Sequence, residues 1–146
     1  MDYKSYKSRS TEETKAIARE LAPSLQGGEV IALYGDLGAG KTAFVQGLAE
    51  GLGVKQIVNS PTFSIMNIYE IKTGAIRRFC HIDTYRLTST SELREIGALD
   101  YISAKDVVCA IEWAEKAEEI IGSGDLIKVR IEAVSVEERI INISKI

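Results

Sequence analysis

The stretch Gly35-Asp36-Leu37-Gly38-Ala39-Gly40-Lys41-Thr42 constrains this chain more than any other. Two glycines around four residues, followed by Lys-Thr, arise by chance in roughly half a percent of chains of this length. The flanks agree with the motif. Val30–Tyr34 is an apolar run of buried-strand length, and the residues after the motif put Phe44, Val45, Leu48 and Ala49 on one side of a helix. Strand, glycine loop and helix in that order make a phosphate cradle. The glycines let backbone N–H groups point inward, and the helix N-terminus adds the positive end of its dipole. The whole loop from Gly35, Asp36, Leu37, Gly38, Ala39 and Gly40 into Ala43 would line it. Lys41 would reach the outer phosphates, and the Thr42 hydroxyl would meet magnesium. The expectation is a nucleoside triphosphate site.

The 146 residues are expected to form one domain, 1–146, large enough to bury most of its apolar surface. A net charge of −3 gives no global attraction to nucleic acid or to an acidic membrane. Cys80 and Cys109 each fall inside an apolar strand pattern and belong to no metal-ligand cluster, which predicts buried thiols in a reducing compartment. The first nine residues are basic, no apolar signal core follows them, and no apolar run approaches membrane-spanning length. These features predict a cytoplasmic protein that does not contact membranes.

Along the chain, Ser10-Thr11-Glu12-Glu13 reads as a capping box, followed by a helical face of Ile17, Ala18, Leu21, Ala22 and Leu25. The glycine-loop helix closes at Gly51-Leu52-Gly53. Residues 65–71 and 75–84 suit two strands joined as a hairpin. In the second, Phe79, His81, Asp83 and Tyr85 share one face. Ser89-Thr90-Ser91-Glu92 reads as a second capping box, and residues 99–102 as a further helical turn. Residues 107–111 are continuously apolar, as in a strand buried on both faces of a parallel sheet. A helix over 114–121 and two strands, 126–132 and 139–144, complete the pattern, the last two as an edge hairpin. The fold predicted is α/β, a three-layer phosphate-loop NTPase architecture with a mostly parallel central sheet and antiparallel edge strands.

A triphosphate site needs a second acidic group at a strand's C-terminal end, to hold magnesium or its water shell. Glu112 follows the better buried strand and is the first choice for the metal; Asp83 is the runner-up for that role or for orienting the attacking water. Thr62, in Ser60-Pro61-Thr62-Phe63, sits on a stiff loop where its hydroxyl would sense the γ-phosphate or else satisfy the loop's own backbone. His81, the sole histidine, reads first as a hydrogen-bonded structural residue. Trp113, the sole tryptophan, reads as packing or as a cover for the nucleotide pocket.

Together GDLGAGKT at 35–42, SPTF at 60–63, HIDTYR at 81–86 and IEWAE at 111–115 resemble the TsaE (YjeE) family, and the resemblance covers essentially the whole chain. It implies a small ATPase required for forming threonylcarbamoyladenosine (t6A) in tRNA. It further implies that ATP or ADP sits on residues 35–43, with Lys41 acting on the phosphates. Thr42 and Glu112 would hold Mg2+, Asp83 would be an essential acid, and Thr62 would lie on a switch-like loop. Thr11 and its neighbours Ser10 and Glu12 would approach the base, as would Arg139 from the last strands. The partners implied are TsaD and TsaB, with tRNA met only through their complex.

Three other readings share the loop. A small-molecule kinase needs an acceptor pocket and an arginine-bearing lid, for which Arg77-Arg78 is the only hint. A GTPase switch normally carries Asn-Lys-x-Asp, which does not occur here, so adenine is favoured. A regulatory module would hold nucleotide without turning it over, and stimulation of phosphate release by partners separates it from an ATPase.

Overall fold

Val30–Tyr34 (β2) and Val107–Glu112 (β5) are buried at every position, as their unbroken apolar runs require, and they pair in parallel at the centre of the sheet. The computed structural model describes residues 2–36, 38–59, 65–72, 74–102, 104–121 and 125–145. Leu126–Ala133 (β6) joins the free side of β2, and Arg78–Asp83 (β4) joins β5, both in parallel. Antiparallel strands finish each margin: Met66–Glu70 (β3) on β4, then Arg139–Lys145 (β7) on β6 and Asp2–Ser8 (β1) on β7. The result is a mixed α/β fold with a seven-stranded sheet in the order β1-β7-β6-β2-β5-β4-β3. Cys80 and Cys109 are register partners on β4 and β5, both free thiols and both buried. The Cys80 contact and burial push the Cys109 thiol up, keeping it protonated.

The first strand has no counterpart in the sequence reading. Its residues are mostly polar, with Lys4 and Lys7 exposed, which is how an edge strand is kept from pairing further. Tyr6 packs against the core and Ser8 is fully buried. Because β1 takes the edge, the β6–β7 hairpin lies one strand further in than expected.

Thr11–Leu21 (α1) begins with the predicted cap: the Ser10 hydroxyl accepts the Glu13 N–H at 3.0 Å, and the Glu13 carboxylate accepts the Arg9 N–H at 2.7 Å. Lys41–Leu52 (α2) lies beside α1, and Phe44 and Leu48 pack with Ile31, Leu33, Val129 and Ile131 on that face of the sheet. The opposite face, with Ala32, Ile82 and Ile111, is covered by Ser91–Glu95 (α3), Glu118–Ile121 (α4) and short 3-10 turns. That third layer is thin. The helix expected over 114–121 is a 3-10 turn, Ala114–Lys116, followed by the single turn of α4. The second capping box does not form either; Thr90 caps α3 without a side-chain bond, and the Thr88 hydroxyl donates to Glu92 at 2.5 Å. Among the described residues no helix is long and apolar enough to cross a membrane.

The α1–α2 crossing depends on Gly47. A Cβ at this position would stand 2.3 Å from the Lys15 carbonyl oxygen, inside any permissible contact. Gly47→Ala is therefore expected to destabilise the fold by about 1–3 kcal/mol, despite alanine's better helix propensity. Urea unfolding measures this directly, and a midpoint equal to the parent's would contradict so close a crossing.

Candidate functional site

The glycine loop leaves the end of β2 and enters α2. Within it the Ala39 N–H donates to the Asp36 carbonyl at 3.0 Å, closing a turn, and Gly40 caps the helix at φ 107°, where a side chain is strained. Lys41 is buried at the first position of α2. Its ammonium donates to the Gly35 carbonyl at 2.5 Å and to the Asp36 carbonyl at 3.0 Å, and it lies 3.9 Å from the centre of the Trp113 ring. Burial pulls its pKa below the usual lysine value, while Glu112, Glu115 and Asp83 pull the other way. Leu37 and Thr62 lie outside the described residues.

Asp83 and Glu112 end β4 and β5 as register partners, so both carboxylates emerge at the C-terminal edge of the parallel strands, beside the loop. Glu112 is only 3% exposed. The Thr42 hydroxyl donates to it at 3.1 Å (Oε1) and 3.3 Å (Oε2), and the His81 Nε2 lies 2.6 Å from Oε2. The strand register explains the last contact. His81 is paired with Ala110, two residues before Glu112 and on the same face, so the imidazole reaches the carboxylate along the diagonal. Asp83 is only partly buried; its Oδ1 accepts the Tyr85 N–H at 3.0 Å. Burial raises its pKa above the usual carboxylate value and the Glu112 charge adds to this, against the Tyr85 hydrogen bond.

Thr84 locks the two strand ends together, its buried hydroxyl donating to the carbonyls of Glu112 (2.9 Å) and Trp113 (2.6 Å). Trp113 turns at φ 58°, the only positive φ outside glycine among the described residues, and packs against Tyr85 with the rings tilted by 41° and their centres 5.0 Å apart. Lys41, Thr42, Asp83, Glu112 and Trp113 thus line one cleft of about 280 Å³. Its oxygen donors suit a hard cation such as magnesium.

A second cleft, of about 380 Å³, adjoins the first across Gly38 and Gly40 and is bounded by Ser10, Thr11, Ala43 and Arg139. Arg139 faces the loop backbone, donating from Nε to the Ala39 carbonyl at 3.0 Å and from Nη2 to the Gly38 carbonyl at 3.3 Å. Another guanidinium nitrogen donates to the Ser135 carbonyl at 2.9 Å, tying the β6–β7 turn to the loop. The residues singled out in the sequence therefore fall into two adjoining groups: Lys41, Thr42, Asp83 and Glu112 in one cleft, Thr11, Ala43 and Arg139 in the other. Sequence reasoning missed the His81–Glu112 contact and the Thr84 clamp. The alternation in β4 had already put His81 on the face of Asp83, but only the β4–β5 register brings in Glu112.

The profile of the family "Threonylcarbamoyl adenosine biosynthesis protein TsaE" matches residues 8–141. Among curated relatives, "tRNA threonylcarbamoyladenosine biosynthesis protein TsaE" of Bacillus subtilis is 48% identical over 108 residues, a match covering 74% of this chain and 65% of that protein. The protein of the same description from Treponema pallidum is 39% identical over 109 residues, covering 75% of this chain and 77% of that one. The crystal structure of Bacillus subtilis YdiB superposes with a TM-score of 0.79 at 34% identity, covering 99% of this chain and 86% of the other. This chain belongs to the TsaE family.

Proposed function

We propose that this chain is a magnesium-dependent ATPase acting in tRNA threonylcarbamoyladenosine biosynthesis, on a TsaD–TsaB complex. The observation that carries the ATPase reading is the Thr42 hydroxyl on the Glu112 carboxylate at 3.1 Å, directly beside a glycine loop that opens α2. The pathway is supported by the family and by the described function of the relatives. The fold is read as the phosphate-loop NTPase class, since the loop joins a central parallel strand to a helix.

In this reading the loop backbone from Gly35 to Thr42 and the start of α2 hold the phosphates of ATP. Lys41 exchanges its carbonyl partners for phosphate oxygens, which are better acceptors for an ammonium. Thr42 and Glu112 are the protein's ligands to magnesium, which when bound neutralises charge on the outer phosphate oxygens. Asp83, facing the same cleft with one oxygen already committed to Tyr85, orients water at the reacting phosphate. Thr11 and Arg139 border the cleft assigned to the nucleoside, with Arg139 acting through the loop it braces. A chain of net charge −3 has no overall attraction for RNA, so tRNA is met through the partners.

Phosphate release from ATP by the purified chain, with and without TsaB–TsaD, tests this reading. The expected result is slow release alone and stimulation by the partners. Release that ignores the partners would sink the pathway assignment, and no release under either condition would sink the ATPase.

A further inference from the structure

We propose that His81 is a positioning residue for Glu112: it ties down one carboxylate oxygen, so that the other is the one offered to a cation bound with the nucleotide. The proposal rests on the ATPase reading above. His81 is fully buried and is the sole histidine. A carboxylate can only accept, so the 2.6 Å contact has the His81 Nε2–H donating to Oε2. This distance is that of a short, charge-assisted bond. Oε1 accepts the looser 3.1 Å contact from Thr42, which lines the same cleft.

The rest of the ring argues against a plain packing role. The His81 Nδ1 is buried and has no hydrogen-bond partner among the described residues. A methionine or phenylalanine would fill the space without that uncompensated nitrogen, so the imidazole's distinctive contribution here is its bond to Glu112. A glutamate side chain rotates about three bonds, and a ligand free to rotate loses ordering entropy on binding a cation. Held between Thr42 and His81, Glu112 has already paid that cost. Partners of this kind commonly change metal affinity by about 10–100-fold.

The experiment is a magnesium titration of ADP binding in the parent chain, His81→Met and His81→Gln. Methionine fills the volume without a donor, whereas the glutamine amide places an N–H near the Nε2 position. His81→Met should need about 10–100-fold more magnesium for half-maximal tightening, with ADP binding in chelator changing far less. His81→Gln should recover most of the loss. As a second readout that needs no variant, the ring nitrogen signals of the only histidine should show a proton on Nε2. A bare Nε2, a parent-like magnesium requirement in His81→Met, or a glutamine variant as impaired as the methionine one would each overturn the proposal. ADP binding by the parent chain that ignores magnesium would instead overturn the ATPase reading beneath it.

Discussion

Lys41→Ala is expected to bind ATP about 10–100-fold more weakly than the parent chain, the loss of one or more hydrogen bonds to a charged group. Turnover should fall further, by roughly 10²–10³, because a donor aimed at charge developing during phosphoryl transfer is worth more there than in the ground state. The contacts of Lys41 explain why the fold should survive. Lys41 donates to two carbonyls of its own loop and lies on the Trp113 ring, at the wall of a cleft. Truncation opens the place of the ammonium to the cleft that Lys41 lines, so water can replace it on the Gly35 and Asp36 carbonyls. Calorimetric titration gives the binding loss, phosphate release gives the turnover loss, and a thermal melt checks the fold. A variant that binds and turns over ATP as the parent does would remove Lys41 from the phosphate site.

Glu112→Ala is expected to divide the two activities differently. Nucleotide binding, assigned above to the loop backbone and Lys41, should largely persist, while partner-stimulated phosphate release should fall by about 10²–10³. The carboxylate is buried and meets both Thr42 and His81, so its removal strips the cleft of its best-held oxygen ligand and leaves the His81 Nε2–H without its acceptor. Some loss of stability should accompany the loss of turnover. Asp83→Asn, measured beside it, separates the two acids, since Asp83 accepts from a backbone donor of its own, the Tyr85 N–H. Full partner-stimulated hydrolysis by Glu112→Ala would end its assignment as a magnesium ligand.

Much of this arrangement was legible in the chain because local patterns specified it. The apolar run at 107–111 suggests a strand covered on both faces, and it stands at the sheet's centre between β2 and β4. Ser10 and Glu13 specified where α1 starts, and the alternation in β4 put His81 and Asp83 on one face. The failures occur where tertiary context overrides local pattern. The strand at Asp2–Ser8 is polar because it is an edge, so its pattern is that of a solvated tail until β7 is there to pair with it. The segment 114–121 has helical spacing, but it must turn sharply after Trp113 to seat Ala114 and Ala117 beneath the sheet. The Glu112–His81 bond is a property of strand register, and no short-range spacing encodes a register between residues 31 positions apart.

The missing side chain at Gly47 has a consequence beyond packing. Thr11 opens α1 and borders one cleft; Lys41 and Thr42 open α2 and border the other. With the Lys15 backbone resting directly on Gly47, the two helices cannot approach more closely, and sliding one along the other would drive backbone into backbone. The separation of Thr11 from Lys41 is therefore held by the crossing of the two helices. A nucleotide lying across both clefts would be gauged against that fixed length, and adjustment to it would fall to the exposed Val136 turn and to Arg139, which strings that turn to the loop.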